Sequence, residues 1–338
     1  MSYGTWVQEA AAVQLVAASF LIGETMDKPF LAIDDQVSLL AKRGVKTDSN
    51  TATVLMREGY YSVINGYKAP FLDLEKTKAS DDDRYLSGTS FEDIYALFVF
   101  DRKLREITFH YHTKIEVMMR TICSYTFCEH HREKNAYLQP ESYTLQSDYM
   151  LDSRAWQADI TKLVKTFKKK LDGYHEHHEF IDFYKENHDN VPLWVLANAL
   201  TFGNIEHLYD LMKPDEQQLV CERVVTAINK QGSQQGFLNR RMLRIYLNVL
   251  VKVRNLCAHD ERLYCAQVGT RNKTDYFGSL HMAEKLLTQE TTDEYFQAIE
   301  DLIINYRIQG GSIVHVLKAM NPPSIDFALT SSYEERVD

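Results

Sequence analysis

One stretch of the chain carries residue types suited to acid–base chemistry on an anion: Arg254-Asn255-Leu256-Cys257-Ala258-His259. An unperturbed imidazole titrates at about pH 6.5, so His259 can give or take a proton at neutral pH. A guanidinium has fixed charge and forked donors that match a phosphate or a carboxylate, which is the role open to Arg254. Asn255 stands four residues before His259. On a helix the two share a face, so the carboxamide can orient the imidazole or an oxygen of the anion.

The segment that must position them, residues 239–259, reads as a helix with an unusual wheel. At about 100° per residue, Arg241, Arg244, Asn248, Lys252, Asn255 and His259 fall in one narrow stripe. Most other positions are apolar, among them Leu243, Leu247, Leu250, Val251 and Val253. A helix apolar around most of its circumference is buried in a bundle, and its polar stripe must face a groove, a partner or internal counter-charges. Arg254 lies off the stripe, between Leu243 and Leu247. It must meet a buried carboxylate, or swing into a groove beyond an early helix end.

The rest of the chain is written for helices. Its 338 residues include only 7 Pro and 14 Gly, too few for a turn-rich sandwich of sheets. No long β-branched alternation argues for a sheet, so the fold class is all-α. Helices are expected over Ile33–Arg43, Thr51–Val63, Phe91–Phe127 (one long helix or two in line), Ser153–Leu171 and Asp215–Ile228. Pro192–Asp210 reads as a helix pair broken at Gly203, and Thr292–Leu317 as holding at least one helix. Lys76–Gly88, with Asp81-Asp82-Asp83 at its middle, reads as a solvated loop and a boundary. Residues 1–25 read as an extension ahead of a natural start at Met26, or else as an amphipathic helix that packs on a partner. Residues 26–90 then form an N-terminal helical region, 91–270 the core, and 271–338 a C-terminal helical region and tail.

Composition narrows the function classes. The formal net charge is -9, so any nucleic-acid contact must use a local basic surface. Five scattered cysteines suggest no disulfide framework, which suits a reducing cytoplasm. Ala10–Ile22 is too short to span a bilayer, and no membrane association is expected. Phosphate-cradling loops, the H-E-x-x-H zinc signature and the G-x-S-x-G elbow are all missing from the sequence. Cys123, Cys128, His130 and His131 are spaced wrongly for a zinc knuckle, and His175, His177 and His178 read as a polar turn, so neither cofactor nor metal is expected.

The string from Arg254 to His259 resembles the R-N-x-x-x-H signature of HEPN ribonucleases, which are small helical domains. Arg262-Leu263-Tyr264 follows at the spacing seen in the abortive-infection (Abi) family of bacterial phage-resistance proteins. Further blocks resemble that family: Tyr60–Tyr67, Phe100–Arg105, Ile115-Glu116 with Arg120, and Pro192-Leu193-Trp194 followed by Phe202-Gly203 and Leu208-Tyr209. The resemblance covers roughly residues 26–264. It implies a HEPN-like helical bundle with additional N-terminal and C-terminal helices. It also implies a metal-independent RNA endonuclease of phage defence, in some relatives partnered by a small structured RNA.

RNA brings its own nucleophile, the 2′-OH. Cleavage then needs a base, an acid for the leaving 5′-oxygen, and positive charge on the phosphorane. On the implied reading Arg254, Asn255 and His259 are catalytic, leaving a 2′,3′-cyclic phosphate. One such set supplies one histidine, so a second is expected, from a homodimer or from Arg105, His110 and His112 of the same chain. The wheel aligns Arg105 with His112 and Glu116 rather than with His110. Asp101, Arg105, His112 and Glu116 therefore read as a salt-bridged surface face, and the homodimer is preferred. Contacts to the RNA backbone are expected from Arg240, Arg241, Arg244, Lys252, Arg262, Lys165, Lys168, Lys169 and Lys170. The competing reading is a HEPN-fold scaffold that binds RNA or protein without cutting.

Overall fold

The structure is a computed structural model that describes residues 30–173, 176–229, 238–269, 273–311 and 313–321. The proposed extension at residues 1–25 lies outside the described residues. The chain is all-α: helices form the frame, and only isolated β-bridges occur among the described residues. No helix among them is long and apolar enough to cross a membrane.

Two compact units are present. The first takes residues up to Tyr60 together with Leu72–Phe91. In it α1 (Ile33–Lys42) packs on α2 (Thr51–Glu58). The second helix was expected to run to Val63. It stops at Glu58 because Gly59 turns into the positive-φ region (φ +82°), where a helix cannot continue. The expected solvated loop at Lys76–Gly88 begins instead inside a short helix, α3 (Leu74–Ser80). The Asp73 carboxylate caps it by accepting the Lys76 amide at 3.1 Å.

The second unit comprises Tyr61–Phe71 and Glu92 onward. Its spine is α4 (Phe91–His130), one unbroken helix of 40 residues, about 60 Å long at 1.5 Å per residue. Behind it come α5 (Trp156–Asp172), α6 (Glu179–Asn187), α7 (Leu193–Leu196), α8 (Phe202–Leu211) and α9 (Pro214–Ile228). The chain then enters α10 (Arg240–Ala258), followed by α11 (Tyr276–Glu284), α12 (Gln289–Ile308) and α13 (Ile313–Met320). The break expected at Gly203 falls at Leu200-Thr201. Thr201 and Asn204 exchange bonds of 3.3 and 3.2 Å between side chain and backbone, a reciprocal cap that starts α8 one residue before the glycine.

Helix α10 lies at the centre of this unit, packed on α8, α9 and α11. Leu243, Leu247, Val249, Leu250, Val251 and Val253 are buried, as its apolar circumference requires. Asn239 caps its start by accepting the Met242 amide at 2.9 Å. Its end is set by Asp260 in the left-handed region (φ +58°), with the Glu261 amide donating to the Leu256 carbonyl at 3.0 Å, a Schellman closure.

Candidate active site

The C-terminal turn of α10 carries Arg254 and Asn255, and His259 sits at its cap, donating its amide to the Asn255 carbonyl at 3.0 Å. Asn255 and His259 are exposed. No hydrogen bond from the imidazole to another protein group is formed among the described residues, so its ring nitrogens face solvent uncommitted.

Arg254 meets the buried carboxylate that its place on the wheel demanded. Its Nε donates to Glu116 Oε2 of α4 at 3.1 Å, and Glu116 is 5% exposed. The other carboxylate oxygen, Oε1, takes a bond from Arg120 at 2.9 Å, and Arg120 also reaches the Leu200 carbonyl at 3.4 Å. One carboxylate therefore holds two guanidinium groups, leaving a net charge of +1. The Arg254 guanidinium also lies 5.5 Å from the centroid of the Phe109 ring. Its terminal nitrogens make only a long bond of 3.4 Å to Asn255 Oδ1. Such a group is fixed at its root and free at its tip, which suits capture of an anion. Asn255 links the half-buried Arg254 to the exposed turn. Among the described residues no hydrogen bond joins Arg254 to the His259 ring; five residues of helix separate them by about 7.5 Å along the axis.

Behind this turn lies a second polar cluster. Asp101 is fully buried and accepts from the Tyr67 hydroxyl (2.7 Å), Arg105 (2.8 Å) and the backbone amides of Leu263 (3.1 Å) and Tyr264 (2.7 Å). Burial pushes its carboxyl up, while Arg105 foremost pulls it back down. The other arm of Arg105 bonds Asp260, the residue after His259. The expected surface face of Asp101, Arg105, His112 and Glu116 is thus an internal ladder. The four recur on the side of α4 that faces α10, where one helix supplies the charges and the other, with its following loop, supplies the partners.

The residues of the expected second set differ in burial. Arg105 is 3% exposed and engaged by three groups. His112 is wholly buried with Nδ1 at 3.3 Å from the Leu250 carbonyl, and burial holds its pKa down to about 4. His110 alone is exposed. Arg105 and His112 are buried within the ladder while His110 lies outside it.

The polar stripe of α10 meets internal counter-charges over its middle. Asn248 donates to Glu206 of α8 at 2.9 Å, and Lys252 donates to Asn248 at 3.0 Å. Arg244 faces Asp210, also of α8. Arg244 and Lys252 therefore have acidic neighbours within the fold, Asp210 and Glu206, which stand four residues apart on the neighbouring helix. The remaining basic candidates divide. Arg241, Lys165, Lys168 and Lys169 are exposed, and Arg240 is half-buried. Arg262 is exposed but donates to the Gly66 carbonyl at 3.0 Å, and Lys170 pairs with Glu176.

The Asp210 cluster gives a pH signature. Burial, reinforced by the Glu206 charge and opposed by Arg244, pushes Asp210 up to about 8. The folded state then holds a proton that the unfolded chain gives up near the ordinary aspartate value of 3.8, so stability falls as pH rises towards 8. His112 acts with the opposite sign, but its contribution is complete above its ordinary value of 6.5. Between about pH 6.5 and 8 the unfolding free energy measured in urea is expected to fall, by up to about 1.4 kcal/mol per pH unit. Asp210→Asn should flatten that fall; an equal slope in the variant would refute the assignment.

Sequence comparison adds one positive finding. The family described as Abi-like protein matches residues 53–265, more than half of the chain. The chain belongs to the Abi-like protein family. The matched stretch includes Glu116, Arg120, Arg254, Asn255 and His259. No curated protein and no solved structure matches the chain. Glu116 was legible only as part of a polar face and a family block. Its i, i+4 spacing to Arg120 was the signal that a single carboxylate serves a second cation.

Proposed function

We propose that this Abi-like protein is a metal-independent endoribonuclease of abortive infection. The observation that carries this reading is Arg254 pinned at Nε by buried Glu116, beside exposed Asn255 and an exposed, uncommitted His259. In the proposed reaction the terminal nitrogens of Arg254 hold a scissile phosphate of RNA, and Asn255 orients a non-bridging oxygen. The 2′-OH attacks the phosphorus and the bond to the 5′-oxygen breaks. His259 takes the proton from the 2′-OH or gives one to the leaving oxygen. The complementary proton role falls to the same turn of a second copy, so the active form is a homodimer. A small structured RNA bound by the exposed Lys165, Lys168 and Lys169 of α5 and by Arg241 would control access, with the protein acting in the cytoplasm.

The test is cleavage of end-labelled RNA in excess EDTA. Wild-type protein should release fragments ending in a 2′,3′-cyclic phosphate and a 5′-hydroxyl, and Arg254→Ala should lose the activity while remaining folded. RNA binding without any cleavage would place the protein with the non-catalytic scaffolds.

A further inference from the structure

The distal end of α4 forms one wall of a cavity of about 260 Å³. Phe127 and Cys128 of α4, Trp194 of α7, and Asn135 and Asn190 of the adjoining loops are among its lining residues. Its inner groups are already committed. The Tyr137 hydroxyl donates to the Val191 carbonyl at 2.7 Å, and His131 pairs with Glu216 at 2.6 Å while its ring packs 4.4 Å from Phe127. The Cys128 thiol is pushed up by burial, so it stays protonated at neutral pH and supplies no nucleophile. These contacts hold the walls in shape before any ligand arrives.

The groups at the mouth are different. Trp194 is 39% exposed and belongs to an open aromatic cluster, edge-on to Tyr184 at 5.9 Å and 6.3 Å from the exposed Tyr125. The Asn135 and Asn190 carboxamides have no partner among the described residues. Among the described residues Arg132 uses only Nε, on the Glu129 carbonyl at 3.3 Å, and its terminal nitrogens make no hydrogen bond; Glu133 lines the same cavity. A purely aliphatic ligand would leave two carboxamides unpaired, at a cost of about 1–3 kcal/mol for each buried group. A bare anion would leave the indole face uncovered. A planar heterocycle with a hydrogen-bonding edge and an attached phosphate satisfies both. The volume lies below the roughly 300–1,000 Å³ of drug-sized sites, which limits the occupant to a single ring system.

We propose that this cavity binds the base of one nucleotide, packed on Trp194, with its edge read by Asn135 and Asn190 and its phosphate held by Arg132. The cavity lies about 18 Å along α4 from Glu116, so it is separate from the Arg254 turn. The proposal stands whether or not the protein cuts RNA. The base belongs either to a free mononucleotide or to a single-stranded RNA, and the two sources differ in experiment.

The test uses full-length His259→Ala protein, which keeps RNA intact, titrated with each of the four ribonucleoside monophosphates and with a six-nucleotide single-stranded RNA. Tryptophan fluorescence is the readout. The chain has three tryptophans, and Trp194→Phe identifies the responding one. Saturable quenching with Kd below about 1 mM is expected, lost as a signal in Trp194→Phe. Asn190→Ala and Arg132→Ala, both outside the core, should keep the fold and weaken binding about tenfold or more. Response to a mononucleotide assigns a free-nucleotide site; response to the oligomer alone assigns a strand-binding subsite. Absence of saturable binding by every probe overturns the proposal, as does binding that neither variant weakens. Absence of cleavage by wild-type protein with this binding intact would sink the nuclease reading alone.

Discussion

Changing His259 to alanine slows metal-free RNA cleavage about 100- to 10,000-fold under single-turnover conditions, the span a positioned acid or base contributes. The geometry makes this substitution clean. His259 is exposed at the cap of α10, and its link to the helix is a backbone bond that alanine keeps. Its stability should stay within about 0.5 kcal/mol of wild type, as for surface changes away from special features. RNA affinity should change little, because phosphate contact belongs to Arg254 and the basic surface. In wild type the rate should depend on pH through the imidazole, and in the variant that dependence should vanish. A variant as fast as wild type, or one whose loss follows from weaker binding, would remove His259 from the chemistry. Mixing wild-type protein with an excess of His259→Ala protein offers a further check on the homodimer. If the two proton roles come from facing copies, activity should fall below that of the same wild-type concentration alone.

Replacing Asp101 with alanine destabilises the protein by about 3–5 kcal/mol, the cost of breaking a buried ion pair from one side. Asp101 is fully buried, and its removal strands Arg105, the Tyr67 hydroxyl and the amides of Leu263 and Tyr264. Arg105 would keep only Asp260 and Tyr67, inside a nearly closed site. The double change Asp101→Ala with Arg105→Met should cost less than the sum of the two single changes, because it removes both the stranded charge and its partner. Urea unfolding of the four proteins measures the coupling. Costs that simply add would mean the pair is not the fastening between α4 and the segment after α10. The same pair bears on activity, since Arg105 reaches Asp260 one residue beyond His259. Asp101→Ala should therefore loosen the turn that presents the imidazole, and cleavage should fall even where the protein remains folded.

Much of this protein was legible along the chain. The scarcity of Pro and Gly, the long uninterrupted run from Phe91 and the apolar wheel of α10 follow from local rules, and they set an all-α frame with α10 buried. The wheel also required a counter-charge or a groove for Arg254. Local rules were weaker where one residue decided a boundary. Gly59 ended α2 early, the Thr201–Asn204 cap displaced the break from Gly203, and Asp73 started a helix within a stretch that looked like a loop. What only the tertiary structure decided was the pairing of charges. A helix read alone shows that Arg244, Lys252 and Arg254 carry charge, but not what stands opposite. Glu206 and Asp210 lie on α8, some 40 residues away in sequence, and Glu116 lies 138 residues from Arg254. Those long-range encounters gave Arg244 and Lys252 acidic neighbours on α8 and left Arg105 and His112 buried. They left Arg254, Asn255 and His259 as the turn where a fixed cation, a carboxamide and a free imidazole meet solvent. The physical reason is range: backbone propensity acts over a few residues, whereas the fate of a buried charge depends on a partner that only folding brings near.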